Sequence, residues 1–147
     1  MTPRKSHDED DVRQRIDKLS EAIRGKDLDR VMACYTPDVV SFDVEAPLAH
    51  VGAAAKRRNW ERVFAAYRSP LGYQIRNLSI TVGVDVAFAH SLNRLAGTLT
   101  NGVETDGFWV RATVCLRKID DEWLIVHDQA SVPLDVETGS ALLHLEP

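Results

Sequence analysis

The stretch from Gly107 to Pro133, GFWVRATVCLRKIDDEWLIVHDQASVP, limits what this chain can become more than any other. It reads as two long strands around a tight turn at Lys118-Ile119-Asp120-Asp121-Glu122, because β-branched and aromatic residues recur with period two on both sides. A three-residue loop with a bulge sets Lys118 opposite Glu122, and Asp121 then takes the left-handed position where glycine is usual, which Asp tolerates. Counting inward, Thr113 faces His127, Arg111 faces Gln129 and Trp109 faces Ser131. Those side chains share one face. Val110, Ala112, Val114, Leu116, Leu124, Val126 and Ala130 share the other, with Asp128 as the polar intruder. A two-residue turn would mix the sets, since a one-residue slip turns every side chain over.

The rest of the chain supplies helices first and strands later. Residues 1–11, MTPRKSHDEDD, are polar and are expected to form a disordered tail. Val12, Ile16, Leu19 and Ile23 have one-face helical spacing, with Gly25 as the stop. Asp27 caps a second helix with the stripe Leu28, Val31, Met32 and Tyr35, ended by Thr36-Pro37. Val39 to Glu45 changes to period two, with Val40, Phe42 and Val44 opposite Ser41 and Asp43. A third helix is predicted from Gly52 to Arg68, with Trp60, Val63, Phe64 and Tyr67 on one side. Strands follow over 73–82, 85–100, 105–118 and 123–132, and Asn101-Gly102 is a hairpin signal. Residues 12–135 are read as one domain and 136–147 as a tail packed down by its leucines. The fold class is α+β, with three N-terminal helices on a strongly curved, mostly antiparallel sheet. Such a sheet encloses a cavity suited to a small ligand.

Composition removes several function classes. With 18 basic against 22 acidic residues the net charge is −4, a poor match for nucleic-acid phosphates. Cys34 and Cys115 form no CxxC pair, and the histidines at 7, 50, 90, 127 and 144 lack short ligand spacing, so no metal is expected. No glycine-rich phosphate loop occurs, and no cofactor is expected. No apolar run approaches the ~18 residues of a spanning helix, and no apolar segment follows the charged start, so the expectation is a cytoplasmic chain with no membrane partner.

The segments GKDLDRVMACYTPDVVSFD, DVAFAHSLNR, WVRATVCLRK and EWLIVHDQASVP together resemble the SnoaL-like, or ketosteroid isomerase-like, branch of the nuclear transport factor 2-like superfamily. The resemblance covers about residues 10–135 and implies that superfamily's cone-shaped α+β fold. It places Asp43 where the isomerases keep a general base, a case known for its tuned carboxylates. Leu19 stands near the expected tyrosine, and no acid lies between Phe108 and Lys118, so the resemblance implies no ketosteroid isomerisation by that machinery. Where the branch carries a second histidine this chain has Gln129, which is no base near neutral pH.

Two functions stay open at this point. One is an isomerase- or cyclase-type enzyme transferring a proton on a hydrophobic carbonyl compound, with Asp43 or His127 as base and Arg111 in support. Tyr35, Trp60, His90, Asn93, Trp109, Thr113 and Gln129 are its further candidate ligand contacts. Tyr35 and Trp60 also fit core packing, His90 and Asn93 have opposite parity, and His50 is expected to face solvent. The other is a non-catalytic homodimeric binding or association module, in which the polar set of the last hairpin serves the subunit interface. A homodimer is expected in either case, because both sheet faces carry apolar side chains.

Overall fold

The computed structural model describes residues 3–147, with side chains from His7 onward. Helix α1 spans Pro3–Arg24, α2 Leu28–Met32 and α3 Ala53–Ala66. The strands are β1 Tyr35–Phe42, β2 His50–Val51, β3 Gly72–Val82, β4 Val86–Thr98, β5 Glu104–Thr105, β6 Trp109–Ile119 and β7 Glu122–Ser131. They form one curved, unclosed sheet in the order β2-β1-β7-β6-β4-β3, with β5 added beside β4. Among the described residues only β1 and β7 pair in parallel.

Helix α1 buries the predicted stripe of Val12, Ile16, Leu19 and Ile23, together with Ala22. Lys26, in the left-handed region at φ 53°, turns the chain out, and the Asp27 N–H reaches back to the Ala22 carbonyl at 2.9 Å. Asp27 then accepts from the Arg30 N–H and opens α2 as predicted. Three expectations need correction. The segment read as a disordered tail is helical from Pro3, and Asp8 is buried against Lys118 and Trp123; residues 1 and 2 lie outside the described ones. Tyr35 belongs to a strand, not to the stripe of α2, which stops at Met32. In the C-terminal segment Leu143 and Leu145 are exposed; the Glu146 carboxylate anchors it by accepting from the Trp109 indole at 3.1 Å.

The last hairpin also turns differently. Asp120 and Asp121 both take positive φ, 50° and 64°, in a two-residue turn that sets Ile119 opposite Glu122. A bulge at Val126 restores parity, since Leu116 pairs with Ile125 but Cys115 with His127. Beyond it Thr113 faces Gln129 and Arg111 faces Ser131, one pair further along than predicted. The bulge places Trp123 and Ile125, then Asp128 and Ala130, on the helix-covered face with Leu116 and Val114. His127, Gln129 and Ser131 point the other way, with Arg111 and Cys115.

Gly107 leads into β6 with φ 64°, and a Cβ there would run into the Leu95 carbonyl oxygen. Gly139 has φ 75° but open space around it. Gly107→Ala should therefore cost at least ~3 kcal/mol, combining left-handed strain with overpacking, and Gly139→Ala about 1–2 kcal/mol. Urea denaturation checks this, and equal losses at the two sites would contradict it.

Candidate functional site

Between α1, α3 and the inner face of the sheet lies a cavity of about 430 Å³. Most of its wall is apolar, with Ile23, Trp60, Val63, Ile75 and Val110 among the contributors. Its polar end is built by three elements. Helix α3 presents Lys56, Asn59, Trp60 and Val63 at i, i+3, i+4 and i+7, one helical face. Parallel pairing of β1 with β7 sets Ser41 beside Asp128, and Asp43 follows directly after β1.

Lys56 is 2% exposed, and its ammonium meets two carboxylates. Its Nζ lies 3.2 Å from Asp43 Oδ1, 3.2 Å from Asp128 Oδ2 and 2.8 Å from Ser41 Oγ. Three donor hydrogens thus find three partners. Ser41 accepts from Lys56 and passes its own hydrogen to Asp128 Oδ1. The Tyr35 hydroxyl donates to Asp128 Oδ2 at 3.3 Å. Asn59 Nδ2 donates to Asp43 Oδ2 at 2.7 Å, and Asn59 Oδ1 accepts from Arg62 Nη2 at 3.2 Å. Asp128 Oδ1 accepts from Ser41 and Lys56, and Oδ2 accepts from Tyr35 with the Lys56 ammonium 3.2 Å away, whereas among the described residues Asp43 Oδ1 accepts only from Lys56. Asp43 is thus the carboxylate with an uncommitted side.

His50 lies behind Asp43. It is buried rather than solvent-facing as expected, with Nε2 3.7 Å from Asp43 Oδ2 and without a hydrogen-bond partner. Burial, and then the charge of Asp128, push the Tyr35 phenol well above its ordinary range. The Trp60 indole N–H is near enough to temper that rise, yet meets no acceptor in hydrogen-bond geometry. On the adjacent wall, Asn93 Nδ2 donates to the Tyr73 hydroxyl oxygen at 2.9 Å. Burial pushes the Tyr73 phenol up to about 12, with Asp128 adding to the rise and Asn93 opposing it.

The structure divides the residues singled out in the sequence. Asp43, Tyr35, Trp60 and Asn93 line the cavity. Thr113 and Gln129 border it as well, but their pairing parity turns their side chains to the outer face with Arg111 and Ser131. His127, His90, Trp109 and Arg111 do not line it. His127 Nδ1 bonds the Val40 carbonyl at 2.6 Å and its ring meets Phe42 edge-on, so it ties β7 to β1 from outside. The Arg76 and Arg94 guanidiniums each lie 4.9 Å from the Trp109 ring. Asp43 and His127 therefore do not open into one cavity. Sequence reasoning missed Lys56, Asn59, Tyr73 and the role of Asp128. Asp128 was visible as the polar intruder on an apolar strand face, and Lys56 as a charge one turn before Trp60 in the stripe of α3.

Among the described residues no cluster of His, Cys, Asp and Glu suits a metal ion, and no helix is long and apolar enough to cross a membrane. The SnoaL-like domain model matches residues 12–135. The chain belongs to the SnoaL-like family. An NTF2-like protein of unknown function from Pseudomonas putida KT2440 is 31% identical, with a TM-score of 0.87 over 97% of this chain and 98% of that one. A proposed scytalone dehydratase from Novosphingobium aromaticivorans superposes with a TM-score of 0.80 at 14% identity, over 99% of this chain and 100% of its own. A ketosteroid isomerase-like protein from Erwinia carotovora atroseptica does so with 0.71 at 23%, over 84% and 94%. The last two likenesses speak for the fold alone. A comparison with curated protein sequences finds no match.

The raised phenols of this SnoaL-like protein have a consequence for alkaline stability. The folded state holds Tyr73 neutral, so this contribution is complete below pH 10 and is lost as pH rises toward 12. Phenolate absorbance from Tyr73, taken as the difference between the wild type and Tyr73→Phe, should appear near pH 12 in the folded protein. Appearance near pH 10 without unfolding would contradict this.

Proposed function

We propose that this SnoaL-like protein is a proton-transfer enzyme of isomerase, cyclase or dehydratase type, acting on a mainly apolar compound that carries a carbonyl group. Asp43 is the base. The observation that carries this reading is the uncommitted side of Asp43 Oδ1 at the polar end of an apolar cavity. Donors from Asn59 and Lys56 hold the carboxylate in place, so proton abstraction needs little reorganisation. Lys56 offsets one of the two negative charges, and Asp128 fixes Lys56. Sequestering three charged groups at the end of an apolar chamber is costly to stability, and packing alone gives no reason for it.

Solvent exchange tests the base directly. With 2-acetylnaphthalene in D2O, the wild type should accelerate loss of the methyl proton signal in NMR. Asp43→Asn should slow that exchange by about 10²–10⁴, the usual contribution of a positioned base. Wild-type exchange no faster than in buffer sinks the reading.

One observation favours the second reading, a dimeric binding or association module. The outer sheet face exposes Phe42, Val86 and Phe88 at 42%, 53% and 47%. An apolar face of this kind is suited to a second copy of the chain. Sedimentation should then give a dimer at micromolar concentration, and Phe88→Glu should shift it to monomer; a monomeric wild type contradicts the dimer. The dimer is compatible with both readings. The module stands only if ligand binds and the exchange assay stays at the buffer rate.

A further inference from the structure

The outer face of the sheet carries a charge pattern that the chamber does not use. Side chains alternate along a strand, and Tyr73, Ile75, Asn93, Val110 and Ala112 line the chamber, so their neighbours point out. At the outward positions of β3, β4 and β6 stand Arg76, Arg94, Arg111 and Arg117, and no Asp or Glu. The whole chain has a net charge of −4, so this concentration of positive charge is local. Strand register brings three of the four together. Arg76 and Arg111 flank Leu92 from either side, and Arg94 stands two residues further along β4, opposite Trp109. Neighbouring strands are about 4.8 Å apart, so the three side chains rise from a patch roughly 10 Å across.

These charges lack counter-charges. Among the described residues none of the three arginines takes part in an ion pair. Arg76 is exposed and makes no hydrogen bond there either. Arg94 gives Nη2 to Gln74 at 2.8 Å, and its Nε is buried without an acceptor. Arg111 donates to Ser131 and to the Val132 carbonyl. Two guanidiniums stand at the one Trp109 ring. A ring face attracts cations only weakly where water reaches them, and like charges this close repel. A guanidinium stays charged and only donates, so the group missing from the patch is an anionic acceptor. The chain itself brings one such group to the edge. Glu146, in the segment after β7, accepts from the Trp109 indole at 3.1 Å, yet it forms an ion pair with neither Arg76 nor Arg94.

We propose that Arg76, Arg94 and Arg111 form a docking site for an acidic segment of a partner protein, with Glu146 as an internal competitor for it. Guanidinium forks match carboxylates bidentately, and each pair formed here compensates a charge that the chain leaves bare. Side chains on one side of an extended segment are about 6.6–7 Å apart, so alternate acidic residues span the patch. A nucleic acid fits less well, because three arginines on a chain of net charge −4 give its backbone little to hold. A second copy also fits less well, since a symmetric contact centred here sets arginine against arginine. The apolar residues suited to a second copy include Phe88 and Val86, further back along β4. Docking at the arginines needs nothing from Asp43 or the chamber.

The test is isothermal titration calorimetry of the full chain with a hexaglutamate peptide blocked at both ends. It is run at about 0.1 M salt, where charges more than ~10 Å apart are largely screened. The wild type should bind one peptide, and added salt should weaken the complex. Arg76→Glu should weaken it about tenfold, as expected when an attractive charge pair at an exposed site becomes a repulsive one. Arg76 has no partner to lose, so this variant should melt at the wild-type temperature. Arg117→Glu, on the same face but outside the patch, should bind like the wild type. Glu146→Gln should bind more tightly, because the competitor has lost its charge. A wild type that does not bind the peptide overturns the proposal, as does equal binding by Arg76→Glu. An oligothymidylate of the same charge that binds as tightly, and as dependently on Arg76, overturns the choice of carboxylates and gives the patch to phosphates. Unchanged or weaker binding by Glu146→Gln overturns the role of Glu146.

Discussion

A single ammonium holds the working end of this molecule together. Lys56 reaches from α3 to Asp43 after β1 and to Asp128 on β7, so one cation links a helix to two strands. Charges taken out of water are tolerated only when each finds partners with good geometry. Here Ser41, Tyr35 and Asn59 supply the remaining hydrogen bonds. Removing any member leaves a neighbour buried and unmatched, so the cluster stands or falls as a unit. That interdependence fixes the spacing of the two carboxylates more firmly than apolar contacts could.

The bulge at Val126 decides which side chains share that site. Without it, Asp128 would stand on the outer face and His127 would look into the cavity. With it, the residue that breaks the apolar pattern of β7 enters the chamber, and the histidine closes the seam between β7 and β1 from outside. On the outer face Arg111 donates to Ser131, and the Arg76 and Arg94 guanidiniums lie against the Trp109 ring. Strand parity therefore separates two polar groups of similar composition into a chamber and an exterior.

The fold was legible because it follows from periodicity. The stripe of α1, the Asp27 cap, the period-two strands and the Asn-Gly signal all act locally, and each element appeared near its predicted place. The site was less legible because it depends on contacts across the chain. Lys56 looks like an ordinary surface lysine until the strands supply Asp43 and Asp128. Tyr35 and Tyr73 look like packing residues, since nothing in the sequence gives the direction of a hydroxyl hydrogen. The turn misled for a similar reason. Two consecutive aspartates can serve either loop, and a bulge six residues away restores the same parity. The charged start of α1 was read as tail because its partners, Lys118 and Trp123, stand more than a hundred residues downstream.

The parallel seam between β1 and β7 has an outcome for how the protein comes into being. Ser41 and Asp128 are 87 residues apart in the chain yet adjacent in the sheet. A polypeptide leaving the ribosome presents Asp43 and Lys56 long before the strand that carries Asp128 has been made. Until the final hairpin docks, the ammonium has only part of its counter-charge and the chamber lacks a wall. Competence at this site is thus acquired in one late step, and a prematurely terminated chain ending before β7 has helices and part of a sheet but no assembled charge cluster.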